Sequence, residues 1–296
     1  MKLLSKKQVL KRAAVYGVKR LLTVSQPKTM LSETIGVLTA PLMLAPSKSA
    51  YAILKAIGLT LDASIFKNVC PWATRACLAL CLGPHSGRGR MLLAMVARAR
   101  RTWFYHAEPI AFKAMLYHEL EAFEKRAKKL GMLAAARLDT VSDMALAQEF
   151  LALFPNIMFY DYTASIERIR AWAKGRDSLD ERGESYRALP NYYLTFSAKE
   201  NNHAEYHEAL SLGVNVAMCV AYEKSEGIPR SIEGFLTYDA DSHDYRPIDP
   251  RAKIGLIGVL KPKGSKAKND LLGFTRQHDD RALFMVNDRP RFMLAA

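Results

Sequence analysis

Three cysteines, Cys70, Cys77 and Cys81, fall in a Cys-x6-Cys-x3-Cys arrangement. Thiolate sulfur binds iron-sulfur clusters and zinc strongly, and a segment this short wraps one centre without a large loop-closure cost. A fully ligated [4Fe–4S] cubane takes four thiolates, so three local ones leave one iron open to a small molecule. S-adenosylmethionine enzymes begin radical chemistry from such an arrangement. The alternative is a closed Cys3His zinc site with His85 as fourth ligand. Cys219 lies in an apolar, strand-like run, Met218 to Ala221, and reads as a core residue.

Carboxylates form a second pattern. Asp139 and Asp143 follow an apolar run, Asp161 ends the next, and Asp239, Asp241 and Asp244 end a later one. On a (β/α) scaffold these places share the rim at the carboxyl ends of the strands, where ligands bind. Asp143, after Ser142, also fits a helix cap. A third pattern is basic and aromatic: Arg88, Arg90, Arg98, Arg100, Arg101, Trp103 and Tyr105. Arginine with interleaved aromatic rings suits phosphate contact and base stacking. Gly83, Gly87 and Gly89 precede this segment without a Walker or dinucleotide fingerprint.

The elements that must position these residues alternate. Leu42 to Ala45 reads as a first strand stopped by Pro46, and Arg88 to Lys129 reads as helix in two pieces broken at Pro109. Leu133–Leu138, Ile157–Tyr162, Tyr192–Phe196 and Val214–Tyr222 read as strands, with helices at Met144–Phe154, Ile166–Lys174 and Asn202–Leu210 between them. Phe235–Tyr238 and Ile254–Leu260 add strands, and the polar stretch 175–188 reads as a surface loop. Strand-helix-strand alternation implies parallel pairing with right-handed crossovers, so the expected fold is α/β, a full or partial (β/α) barrel. The expected layout is a basic helical N-terminal extension over 1–40, a barrel-like domain with the cysteine loop over 41–275, and a C-terminal tail over 276–296.

Charge sharpens the partner. The chain has 296 residues, half of them apolar, and a formal net charge of +14. Residues 1–100 carry 16 Lys and Arg against only Glu33 and Asp62, which points to a polyanion partner, nucleic acid above all. Leu3, Leu10, Ala14, Val18, Leu21 and Leu22 are spaced for an amphipathic helix, expected to stop near Val24 before Pro27, with Lys6, Lys7, Lys11 and Arg12 as phosphate contacts. No apolar run is long enough to span a bilayer, so no membrane partner is expected. Four cysteines without a secretion signal read as reduced thiols in a cytoplasmic protein.

On the residues Leu42-Met43-Leu44-Ala45-Pro46, the Cys70-Pro71 cysteine loop, Arg98 with Arg101-Thr102, Arg137-Leu138-Asp139, Phe159-Tyr160-Asp161-Tyr162-Thr163, Leu194-Thr195-Phe196-Ser197, Gly213-Val214-Asn215-Val216 and Asp239 to Asp249, the sequence resembles the phage "gene product 88" family of unknown function. The resemblance covers roughly residues 40 to 275 and leaves the basic helix outside. It implies a phage or prophage origin, hence the cytoplasm of an infected bacterial host, and a three-cysteine site similar to that of radical S-adenosylmethionine proteins. The Cys-x3-Cys-x2-Cys spacing usual in those proteins is absent.

Two functional expectations follow. One is a phage iron-sulfur protein, radical S-adenosylmethionine-like, acting on nucleic acid or a nucleotide. In it Cys70, Cys77 and Cys81 are ligands, Asp139, Asp143 and Asp161 line the rim as catalytic candidates, and Arg98, Arg100 and Arg101 meet phosphate. The other is a non-enzymatic, zinc-stapled nucleic-acid-binding protein.

Overall fold

A computed structural model describes residues 4–23, 31–85, 91–175, 190–222 and 227–277, together with Ser178–Leu179, Ser185–Tyr186 and Ser225. In chain order its helices are α1 (Lys6–Val15), α2 (Ser47–Ala56), α3 (Arg75–Ala79), α4 (Leu82–His85), α5 (Leu92–Ala107), α6 (Pro109–Lys129), α7 (Ile166–Ala173), α8 (His203–Ser211) and α9 (Ser265–Lys268). The strands are β1 (Val37–Pro41), β2 (Leu133–Arg137), β3 (Ile157–Thr163), β4 (Ser178–Leu179), β5 (Ser185–Tyr186), β6 (Tyr192–Ser197), β7 (Val216–Ala221), β8 (Ser231–Ile232), β9 (Phe235–Asp239), β10 (Ile257–Leu260) and β11 (Arg276–Gln277). The chain groups into two compact units, Met1–Trp72 with Cys81–Asp161 and Leu189–Tyr193, and Ala73–Leu80 with Tyr162–Ala188 and Leu194–Ala296.

In the first unit β2 is flanked by β1 and β3, both parallel to it, with Val37 opposite Leu133 and Ala134 opposite Ile157. Small side chains at Ala134, Ala135 and Ala136 are buried. The helix α6 buries Phe112, Leu116, Leu120 and Phe123, the 3.6-residue spacing of one face. Pro109 sits at its first turn, where a missing N–H costs nothing, which is why the break between α5 and α6 falls there. A second small core joins α2 to α5 through Ala45, Ala50, Leu54 and Ala99.

Two expectations change here. The first strand is Val37–Pro41 rather than Leu42–Ala45: Pro41 closes it, and Leu42, whose amide still donates to the Arg137 carbonyl at 2.9 Å, goes on to an isolated bridge with Leu22. The first helix ends at Val15 rather than near Val24. Gly17 takes φ +65°, and the amides of Gly17 and Val18 return to the carbonyls of Ala14 and Ala13, a glycine stop that satisfies the last carbonyls. A capping box between Ser5 and Gln8 starts α1, and its Val9 and Ala13 are buried.

In the second unit β7 pairs in parallel with β6, β10 and β11, and β10 pairs in parallel with β9. The strand β8 pairs antiparallel to β9 as a tight hairpin. Arg170 on α7 forks onto both carboxylate oxygens of Glu208 on α8, at 2.6 and 2.7 Å. The polar stretch 175–188 contains a small antiparallel pair, β4 with β5. In each unit the path of strand pairing runs open, so the barrel is not established; the fold is mixed α/β with mostly parallel strands.

Candidate functional site at the carboxyl ends of the strands

The cysteine segment divides between the two units. In the first, the Cys70 thiol donates to the Val141 carbonyl at 3.5 Å, its amide donates to Asn68 Oδ1 at 2.9 Å, and the Asp143 amide donates to the Val69 carbonyl at 3.0 Å. Val141 and Asp143 belong to the loop that leaves the carboxyl end of β2. In the second unit Thr74 caps α3 by accepting the Cys77 amide at 3.1 Å, and Glu200, just past β6, accepts the Thr74 hydroxyl at 2.9 Å and the Ala76 amide at 3.2 Å. Within its own unit, the Cys70 end and the Thr74–Cys77 turn are each tied to a loop that follows a parallel strand, the kind of place where open α/β sheets bind ligands.

All four cysteines stand outside disulfides and are of intermediate burial. Cys81 lies beside Arg98: a methyl group added to Gly83 would meet Cys81 Sγ at 3.5 Å and the Arg98 guanidinium at 3.9 Å. His85 closes α4, and its side chain lies outside the described residues. Cys219 sits on β7 against Thr275, and burial pushes its thiol up to about 11, in keeping with a core residue.

Of the aspartates expected to line the rim, Asp139 and Asp161 are buried and engaged with backbone amides and hydroxyls. Asp139, 2% exposed, accepts the Ser142 hydroxyl at 2.7 Å and the amides of Met144 and Leu146 at 3.1 and 3.0 Å. Asp161, fully buried, accepts the Asp139 amide at 2.9 Å and the Tyr192 hydroxyl at 3.4 Å. These two carboxylates build the loop that meets Cys70. Their hold explains why Met144–Phe154 is not a helix: Asp139 takes amides that a helix would use, Ala145 is turned to φ +57°, and only a short 3-10 turn, Leu146–Glu149, forms. Asp143 is half-buried, and the capping carboxylate is Asp139.

Among the later acids, Asp239 accepts the Asp241 amide, and Asp241 accepts the Lys261 amide and pairs with Lys263, both at 2.7 Å. The buried centre there is Asp249, which no strand-end pattern singles out. It accepts the Tyr238 hydroxyl at 2.6 Å and lies 3.1 Å from Arg246, whose side chain is completely buried.

Of the described arginines on α5, Arg98 is buried and Arg100 and Arg101 are half-buried. Arg98 Nε donates to the Ala94 carbonyl at 3.2 Å. Arg101 Nε donates to the Arg20 carbonyl at 2.9 Å, and burial lowers its pKa. The Arg100 guanidinium lies against Gly17. Arg88 and Arg90 lie outside the described residues. Open basic surface is found instead on α1, where Lys6, Lys7, Lys11 and Arg12 are exposed and Arg12 pairs with Glu108 at 2.7 Å.

One constellation has a partial signature in sequence. His203 and His207 stand one turn apart on α8, the His-x3-His spacing of metal sites. Glu233 meets both, and its membership is invisible locally because it comes from the β8–β9 hairpin.

No described helix is long and apolar enough to cross a membrane. No curated protein and no solved structure matches the chain. The family model described as Gene product 88 matches residues 30–282, which take in the cysteine segment, the aspartate loop and the strands of both units. The chain belongs to the Gene product 88 family of phage proteins.

Proposed function

We propose that this phage protein holds an iron-sulfur cluster on Cys70, Cys77 and Cys81 and acts on nucleic acid or a nucleotide in the manner of radical S-adenosylmethionine enzymes. The observation that carries the reading lies within the first unit, where the Cys70 thiol meets the Val141 carbonyl after β2 and Cys81 lies beside the Arg98 guanidinium. The donor set fits the group: the thiols are half-buried and outside disulfides, and Cys81 has a cation beside it. Cys77 enters on its sequence spacing. When bound, such a centre leaves one iron open to a small molecule, the arrangement from which S-adenosylmethionine chemistry starts.

The chain's own residues supply position. Asp139 and Asp161 shape the loop whose Val141 carbonyl receives Cys70, so they are positioning residues rather than groups facing a substrate. The exposed lysines of α1 supply a cationic surface for a polyanion.

Anaerobic purification tests the reading. Iron and sulfide in near-equal amounts with a brown absorption are expected, and Cys70→Ala should lose most of both. A colourless protein with one zinc per chain and no iron or sulfide overturns it in favour of a zinc-stapled nucleic-acid-binding protein.

A further inference from the structure

A second cluster, wholly within the second unit, is independent of the cysteines. His203 Nε2 lies 3.0 Å and His207 Nε2 2.5 Å from the same oxygen, Glu233 Oε2, and the Tyr206 hydroxyl donates to that oxygen at 2.7 Å. The three ligand atoms lie within 4.8 Å of one another. The imidazoles are carried one helical turn apart on α8, with ring centroids 4.3 Å apart, and Phe235 packs edge-on against His207 at 5.1 Å.

The backbone under Glu233 is unusual. Ile232 pairs with Phe235, so Glu233 and Gly234 form a two-residue hairpin loop, and both have positive φ, +51° and +83°. Glycine and asparagine are the residues that take such positions without strain. A glutamate there is held in a disfavoured conformation with its side chain aimed inward, 12% exposed. Strain of this kind collects where a side chain has a job to do.

We propose that His203, His207 and Glu233 form a binding site for a divalent transition-metal ion of the zinc class, tying α8 to the β8–β9 hairpin. Two imidazoles and one carboxylate select zinc, cobalt or nickel over magnesium or calcium, which want oxygen alone. Metal–ligand bonds near 2.0–2.1 Å put tetrahedral ligands roughly 3.3 Å apart, so each imidazole needs to part from the Glu233 oxygen by less than about 1 Å to admit the ion. The cluster is open to solvent at His203, whose side chain is 56% exposed.

The test is zinc chloride titrated calorimetrically into the full chain and into His207→Ala, Glu233→Gly and Cys70→Ser. Glu233→Gly removes the ligand while placing the best residue at a positive φ, so its fold and Tm should hold. The wild type and Cys70→Ser should share a zinc-binding event that is weakened about a hundredfold or lost in the other two variants, and zinc should raise the Tm of the wild type but not of Glu233→Gly. Retention of that event in Glu233→Gly, or its absence from the wild type, overturns the site. The cysteine assignment is read separately, by iron and sulfide content.

Discussion

The backbone amide of Asp139 donates to the carboxylate of Asp161 at 2.9 Å, joining the ends of β2 and β3 inside the first unit. Asp139 in turn receives one hydroxyl and two amides from the loop that meets Cys70. Removing its carboxylate leaves buried donors unsatisfied, each worth about 1–3 kcal/mol. Asp139→Ala should lower the urea unfolding free energy by about 3 kcal/mol and reduce the metal content of the purified protein. Asp139→Asn, which keeps one acceptor oxygen, should cost about half as much.

Arg246 and Asp249 form a buried pair completed by Tyr238. Breaking a buried pair by removing one partner costs about 3–5 kcal/mol, because a charge is left without compensation. Arg246→Met should destabilise on that scale, and Arg246→Met with Asp249→Asn should recover part of the loss. Equal stability of the single and double variants in chemical denaturation argues against the pairing.

Cys219, with its thiol pushed up to about 11 by burial, contains little thiolate at pH 8. Since thiolate is the nucleophile, iodoacetamide should modify it on the order of a hundredfold more slowly than an ordinary cysteine. Peptide mass mapping after timed alkylation reads this directly.

His106 lies near Ser47 and Phe66, and burial holds its imidazole below the ordinary value. The folded state therefore prefers the neutral ring. That contribution is complete above the ordinary imidazole pKa and is lost as pH falls through the lowered folded value. Unfolding free energy measured from pH 7.5 to 5 should drop, with a shallower slope in His106→Gln.

The exposed basic face of α1 makes a salt-dependent prediction. If Lys6, Lys7, Lys11 and Arg12 each meet one phosphate, changing all four to glutamine should flatten the slope of log affinity against log salt for duplex DNA by about 3 to 4. An unchanged slope takes α1 out of the interface.

The chain's local pattern was enough to place α5 and α6 on either side of Pro109 and most strands from β2 to β10, since these rest on short-range periodicity and on a proline that cannot continue a helix. The spacing of Cys70, Cys77 and Cys81 and the basic bias of the first hundred residues were equally legible, whereas the His-x3-His on α8 stood out only once Glu233 was seen beside it. Tertiary structure decided what those side chains face. Asp139 drew amides away from a helix that the pattern at Met144–Phe154 favoured. Packing turned Arg98 and Arg101 inward, leaving α1 as the exposed cationic face. Glu233 reached two histidines only because a strained hairpin folded back onto α8. Backbone preference acts over a few residues and is written in them; which buried polar group meets which depends on chain reversals far away in sequence.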